Sequence, residues 1–150
     1  MIQRHDSLIV QTVSRFLTPL IQLFALYVLF HGHYSPGGGF QAGVLIGGSL
    51  ILMTLVESRK NAPTFELSAE IVTVCLGLGF FVVIGGLSLL YQGSFFDYGT
   101  LQILSDNDAQ RRYWAILIAE CGVTLVVAMT LVIIFHVLAL SKHSNEDNRD

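Results

Sequence analysis

Four long apolar stretches dominate the chain, and each is long enough to cross a lipid bilayer. They cover about residues 8–30, 38–56, 68–91 and 113–140. A transmembrane helix needs roughly 20 mostly apolar residues. The connecting segments are short, except for the polar stretch 92–112. We therefore predict an all-α integral membrane protein with four transmembrane helices, built as one membrane domain over residues 1–140 and a polar, disordered C-terminal tail over 141–150.

The composition favours the same class of protein. Hydrophobic residues make up 53% of the chain and charged residues only 13%, whereas an ordinary soluble domain is about 25% charged. No segment outside the apolar stretches could bury a core of its own. The few dispersed bases argue against nucleic-acid binding. Cys75 and Cys121 lie inside apolar stretches and show no metal-type spacing, so we expect no metal site and no cofactor.

The positive charges predict the orientation in the membrane. Six lysines and arginines fall on the side that holds the N-terminus, the second linker and the C-terminus: Arg4, Arg15, Arg59, Lys60, Lys142 and Arg149. The other side holds only Arg111 and Arg112. Because short loops rich in lysine and arginine stay in the cytoplasm, we expect both termini to be cytoplasmic. The turn 31–37 and the long polar linker then face outward.

Polar side chains recur along the first helix at spacings of three and four. They are Ser7, Gln11, Arg15, Thr18 and Gln22. At about 100° per residue they form one stripe. In one interpretation the stripe faces other protein or a water-filled path, since an arginine facing lipid at depth is costly. In the other, Arg15 extends its charged end to the cytoplasmic interface.

The second helix begins with a series of glycines. Pro36 lies near its first turn, where the missing N–H does no harm. Gly39, Gly43 and Gly47 then follow at four-residue intervals. Such a doubled small-xxx-small pattern makes a flat groove for another helix, and we favour close helix packing as its role. Glu57 continues near the same face and is a candidate for an ion path.

Glu120 is the best candidate for ion chemistry. It follows Tyr113 by seven residues, which places it roughly 10 Å from the outer end of the fourth predicted helix. Thr124 shares its face. An acid inside the membrane could carry a proton, pair with a base or help to hold a hard cation. Alternatively, Glu120 is a structural partner of an arginine or a backbone group, or the helix starts later and leaves the acid near water.

Other ionisable residues receive structural interpretations. Glu70 lies at the start of the third helix, where an acid suits the helix dipole. His136 lies near the cytoplasmic end of the fourth helix, and we interpret it as interfacial. His31 and His33 lack the further ligands that a metal site needs. We expect them to cap the turn or to hydrogen-bond within it.

The turn between the first two helices carries a specific motif: Gly32-His33-x-x-Pro36-Gly37-Gly38-Gly39-Phe40-x-x-Gly43. In a four-helix chain of this length, the motif resembles that of the MnhB-type subunit of the multisubunit Mrp (Mnh) sodium/proton antiporters. In layout the resemblance covers nearly the whole chain. Tyr34 stands where that family commonly has asparagine, and Ala42 where it commonly has glycine. Neither difference removes the glycines of the turn.

The resemblance implies a small, non-catalytic subunit of a prokaryotic plasma-membrane complex that exchanges cytoplasmic Na⁺ for external H⁺. The expected partners are two large antiporter-type subunits, similar to proton-pumping subunits of respiratory complex I, and other small membrane subunits, all within the lipid bilayer. Two alternatives stay open: an equivalent subunit of a hydrogenase-type, redox-driven ion pump, and a purely structural assembly subunit.

The candidates fall into two groups. The ion-path candidates are Glu120, Arg15, Thr124 and Glu57. The structural motif is Gly32, His33, Pro36, Gly37, Gly38, Gly39, Phe40, Gly43 and Gly47.

Overall fold

The protein is built from four long α-helices. The computed structural model describes residues 7–32, 38–56, 66–101, 103–104 and 106–147, without the side chains of residues 7 and 140–147. The helices are α1 (Ser7–Phe30), α2 (Gly38–Val56), α3 (Leu67–Leu90) and α4 (Asp108–Asp147), and a short 3₁₀-helix (Tyr98–Thr100) precedes α4. Each α-helix is long and apolar enough to span a membrane. The predicted fold class is confirmed, and the described residues contain no strand.

The fourth helix is longer at both ends than the apolar pattern predicts. It begins at Asp108 rather than Tyr113 because the side chain of Asn107 accepts a hydrogen bond from the Ala109 N–H at 3.1 Å, as an N-cap residue does. Asp108 in the first turn suits the helix dipole. Beyond residue 140 the sequence contains no proline or glycine to end the helix, and the predicted tail continues it to Asp147.

The helices pack in the order α1–α2–α4–α3, so that α4 lies between α2 and α3. No contact joins α2 to α3 in the part of the chain that the structure describes. The result is a row of helices rather than a closed bundle. Only 22–28% of the residues in the most apolar part of each helix are buried, so lipid or other subunits must cover the rest.

Glycines bring α2 close to α4. A Cβ atom built on Gly43 would lie 2.8 Å from the Val127 Cβ, and one on Gly47 would lie 2.8 Å from the Ala128 carbonyl oxygen. A Cβ on Gly39 would overlap the backbone of α4. By contrast, a Cβ on Gly48 would meet nothing within 4 Å. The glycines spaced four apart therefore set the distance between the two helices.

One hydrogen bond crosses the same contact. The Thr124 hydroxyl of α4 lies 3.0 Å from the Gly39 carbonyl oxygen and 2.8 Å from the Glu120 carbonyl oxygen. Its single proton can be donated to either acceptor. Because Thr124 is buried, this hydroxyl joins the first turn of α2 to α4 away from water.

The contact between α3 and α4 also depends on glycines. A Cβ on Gly77 would lie 2.7 Å from the Gly122 carbonyl oxygen, and a Cβ on Gly122 would lie 2.7 Å from the Gly77 carbonyl oxygen. The backbones thus meet directly where the helices cross. On both sides of α4, close approach requires the absence of a side chain.

The linker before α4 folds back onto the ends of α3 and α4. Its Leu101 is fully buried in a cluster with Ile84. Asp97 accepts a hydrogen bond from the Gly99 N–H at 3.2 Å, and Arg111 donates to the Gly99 carbonyl. These contacts fix the 3₁₀-helix beside α4.

We expect Gly43→Leu to disrupt the chain. Its side chain would meet Val127 and the α4 backbone, and overpacking of this kind typically costs about 1–3 kcal/mol, occasionally more. Gly48→Leu is the matched control, since it adds the same apolar volume to the open side of α2. The measurement is the folded fraction in detergent size-exclusion chromatography. Equal folded fractions for the two variants would contradict the tight α2–α4 contact.

Thr124→Val tests the hydrogen bond between α2 and α4. It keeps the shape of the side chain but removes the donor, and such bonds in membrane proteins average about 0.6 kcal/mol, with a maximum near 1.7. We expect a loss of that size in the free energy of unfolding, measured by denaturant titration in bicelles. Thr124→Ser keeps the hydroxyl and should retain the bond. A valine variant as stable as the wild type would show that the bond contributes nothing.

Candidate functional site

The Glu120 carboxylate lies where the end of α1, the start of α2 and the first third of α4 meet. A Cβ built on Gly32 would lie 2.6 Å from one carboxylate oxygen and 2.9 Å from the other. A Cβ on Gly38 would overlap an oxygen of the same carboxylate. Both glycines therefore leave the space that the acid occupies. Gly38 also has a φ of +27°, which most other residues avoid.

The start of α2 favours a negative charge at this position. The first N–H groups of a helix have no acceptor within it, and the dipole is positive at that end. An anion there is stabilised by about 0.3–1 kcal/mol, and by up to about 2 kcal/mol where the site is partly buried. Glu120 is half-buried. The geometry thus fits a backbone partner, one of the alternatives left open by the sequence.

The sequence left open that the fourth helix begins close to Glu120, and the structure excludes this alternative. Because α4 begins at Asp108, Glu120 lies roughly 18 Å along its axis. The acid is therefore more than three turns inside the helix.

Tyr98 is an ionisable neighbour of this acid in the 3₁₀-helix. Burial raises the pKa of the Tyr98 phenol above its ordinary value of 10.0, and the charge of Glu120 raises it further. The phenol therefore keeps its proton near neutral pH and stays a possible hydrogen-bond donor. The start of α2 and a protonated tyrosine are thus both within electrostatic range of the acid.

The polar residues of α1 divide between two faces. Ser14 and Thr18 are buried, and the Gln22 amide donates a hydrogen bond to the Ser49 hydroxyl of α2 at 3.3 Å. Arg15 is exposed. It lies fifteen residues before the end of α1, hence roughly 22 Å from the end where Glu120 is found. The structure does not bring Arg15 and Glu120 together.

The other candidate residues predicted from the sequence do not all lie at the Glu120 site. Thr124 is one turn from Glu120 and holds Gly39, as described above. Phe40 is 61% exposed and points away from the other helices of this chain. The predicted residues outside the described part of the chain are His33, Pro36, Gly37 and Glu57. His31 lies at the end of α1, where its Nδ1 is 2.9 Å from the Tyr27 carbonyl oxygen.

A second acid is buried at the other end of α4. Glu70 of α3 is 1% exposed, and its Oε1 lies 2.7 Å from Nδ1 of His136. The two groups are in ion-pair contact, but they lack the alignment of a hydrogen bond, and Oε2 has no hydrogen-bond donor among the described residues. The sequence analysis explained Glu70 by the helix dipole and interpreted His136 as interfacial, and it did not predict that the two residues are paired.

A signal for this burial is present in the sequence. Glu70, Gly77 and Ile84 recur every seven residues, and all three are buried on the face of α3 that meets α4. An acid on the same stripe as a tightly packed glycine is expected to face another helix rather than water. Its partner cannot be identified from the stripe alone.

Comparisons with known proteins match most of the chain. A family model described as a domain related to the MnhB subunit of Na⁺/H⁺ antiporter matches residues 9–133. The B-type subunit of the Na⁺/H⁺ antiporter of Bacillus subtilis is 31% identical over 137 residues, which cover 88% of this chain and 93% of the relative. Its counterpart in Alkalihalophilus pseudofirmus is 29% identical over 136 residues, or 85% and 94%.

The matched region begins in α1 and ends within α4. The resemblance first seen in the glycine motif is thereby confirmed across all four helices. This chain belongs to the MnhB family.

Proposed function

We propose that this chain is the B-type subunit of a multisubunit Na⁺/H⁺ antiporter in a prokaryotic plasma membrane. The observation that carries the proposal is its similarity, over most of both chains, to two proteins named as B-type subunits of such antiporters. Other Mnh- or Mrp-type subunits are its partners. Its role is in assembly and transport, without chemistry of its own.

The arrangement of the helices supports a subunit rather than a complete transporter. A row of four helices has two open sides, so a path across the membrane needs walls from other subunits. The exposed surfaces of all four helices are strongly apolar, and larger apolar patches than a monomer normally shows mark contact surfaces or lipid-facing surfaces. Phe40 belongs to this exposed surface and directly follows Gly39, which packs on the backbone of Glu120.

We infer that Glu120 contributes to the ion path. It is half-buried and is surrounded by backbone that lacks side chains at Gly32, Gly38 and Gly39. Without side chains at these glycines, the carboxylate lies directly against the backbone and is held at this point of the proposed path. With both termini in the cytoplasm, as the positive charges favour, this site lies toward the outer side. Thr124 acts as a positioning residue, because it holds α2 against α4.

Glu120→Gln separates transport from structure. The amide keeps the size of the side chain but can neither carry a negative charge nor take up and release a proton. We therefore expect a complex of normal abundance whose Na⁺/H⁺ exchange is about tenfold slower or worse. The measurement is Na⁺-driven proton movement in everted membrane vesicles, with complex abundance from the same membranes.

Asp108→Asn is the matched control for that variant. It makes the same change of charge on the same helix, at an exposed position in the first turn. Exchange by this control should stay close to the wild-type rate. Full exchange by an assembled Glu120→Gln complex would instead support a purely structural subunit.

The composition of the purified complex tests the identity of the assembly. Gentle detergent extraction through a C-terminal tag, followed by mass spectrometry, should recover large antiporter-type subunits in stoichiometric amounts. Redox subunits in the same complex would instead support the hydrogenase-type pump. Recovery of this chain alone under conditions that preserve complexes would contradict both assemblies.

A further inference from the structure

We propose that Glu70 and His136 form a proton-binding site at the end of the membrane region opposite Glu120. In the antiporter subunit proposed above, on which this inference rests, the pair holds a transported or regulatory proton. Neither residue is part of the glycine motif. Both lie at the contact between α3 and α4, within the helices that can span the membrane.

The two acid sites of the chain lie at well-separated levels along α4. His136 follows Glu120 by sixteen residues on α4, which corresponds to roughly 24 Å along the axis. The hydrocarbon core of a bilayer is about 30 Å thick. Glu70 lies in the first turn of α3, on the side where the second linker and the chain termini are found. The pair therefore lies near the cytoplasmic surface when both termini are cytoplasmic.

The charge balance gives this pair a reason to bind a proton. With an ionised carboxylate and a protonated imidazole the pair is neutral, and without that proton it carries one negative charge. A buried charge without a partner is costly, and the carboxylate is almost completely buried. Since Oε2 has no donor among the described residues, hydrogen bonds do not replace the missing charge.

The deprotonated form is nevertheless accessible, because the start of a helix stabilises an anion. Glu70 lies in the first turn of α3, where the dipole is positive. The proton can leave from Nε2 of the imidazolium to a water molecule, which gives neutral imidazole and hydronium, while Nδ1 keeps its own proton beside the Glu70 carboxylate. The His136 side chain is 22% exposed, so the ring reaches the surface of this chain.

The neighbouring helices add few ionisable groups to the site. On α3 the other one is Cys75, which is exposed, and Glu66 precedes the helix at an exposed position. From Cys121 to residue 139, His136 is the only ionisable side chain of α4 besides Cys121 itself. The α2 helix, which packs on the other side of α4, has none. Those of α1, which also contacts α4, are Arg15 and Tyr27, and both are exposed. Within these described helices, the charge of Glu70 is therefore balanced by His136.

Proton counting on the purified complex tests the site directly. A pH-indicator dye in weakly buffered detergent solution measures proton uptake as the pH is lowered over about 8.5 to 5.5, the range in which histidine-linked groups titrate. We expect Glu70→Gln and His136→Gln each to lower the uptake by up to one proton per copy of this chain. Glu66→Gln removes a carboxylate one turn away at an exposed position, and it should leave the uptake unchanged.

Na⁺/H⁺ exchange in everted vesicles supplies the second readout. We expect Glu70→Gln to slow exchange about tenfold and to flatten its pH dependence, whereas Glu66→Gln keeps the wild-type profile. Lost proton uptake without an effect on exchange would support the binding site but contradict a role in transport. Unchanged proton uptake in both pair variants would overturn the proposal, whatever the activity of the complex.

A double variant keeps the test valid if the single variants misfold. Removal of one partner of a buried pair leaves the other uncompensated, whereas apolar replacement of both partners is often neutral or stabilising. We therefore expect Glu70→Met combined with His136→Leu to fold and to take up fewer protons than the wild type. A folded double variant with full proton uptake would equally overturn the proposal.

Discussion

The close approach of α2 to α4 is the constraint on which the rest of the structure depends. In lipid no hydrophobic force drives two apolar helices together, so backbone proximity and packing must do so. Gly39, Gly43 and Gly47 provide that proximity. The same proximity places the Glu120 carboxylate at the start of α2. A wider gap between the helices would separate the acid from the positive end of the α2 dipole. The packing of α2 on α4 therefore also determines how strongly the dipole stabilises the charge of Glu120.

The membrane spans could be predicted from the sequence because length and hydropathy report them directly. The spacing of the α2 glycines likewise predicted a face for close packing, since four-residue intervals follow the helical period. It did not reveal that α4 meets this face, because periodicity on one helix contains no information about its neighbour. The start of α4 was placed too late for a different reason: hydropathy does not detect the capping hydrogen bond that the Asn107 side chain accepts from the Ala109 N–H.

The charged residues show more clearly that the pattern along one helix does not identify the contacts of its side chains. The polar stripe of α1 is regular in sequence, yet the structure buries Thr18 against α2 and leaves Arg15 exposed. Glu70 has a sufficient local explanation in the dipole of α3, and that explanation hides its contact with His136. Long-range contacts decide whether an acid is a surface charge or a buried ion pair. They could not be deduced from one helix at a time.

The order of the helices has a consequence for how the chain assembles. The ribosome synthesises α2 and α3 one after the other, but the structure separates them by α4, the last of the four. Neither helix can find its main partner until α4 has entered the membrane. Until then the glycine faces of α2 and α3 stay open to lipid or to other membrane proteins. Completion of the fold is therefore a late event of synthesis, and a partner that covers these faces earlier would compete with α4 for them.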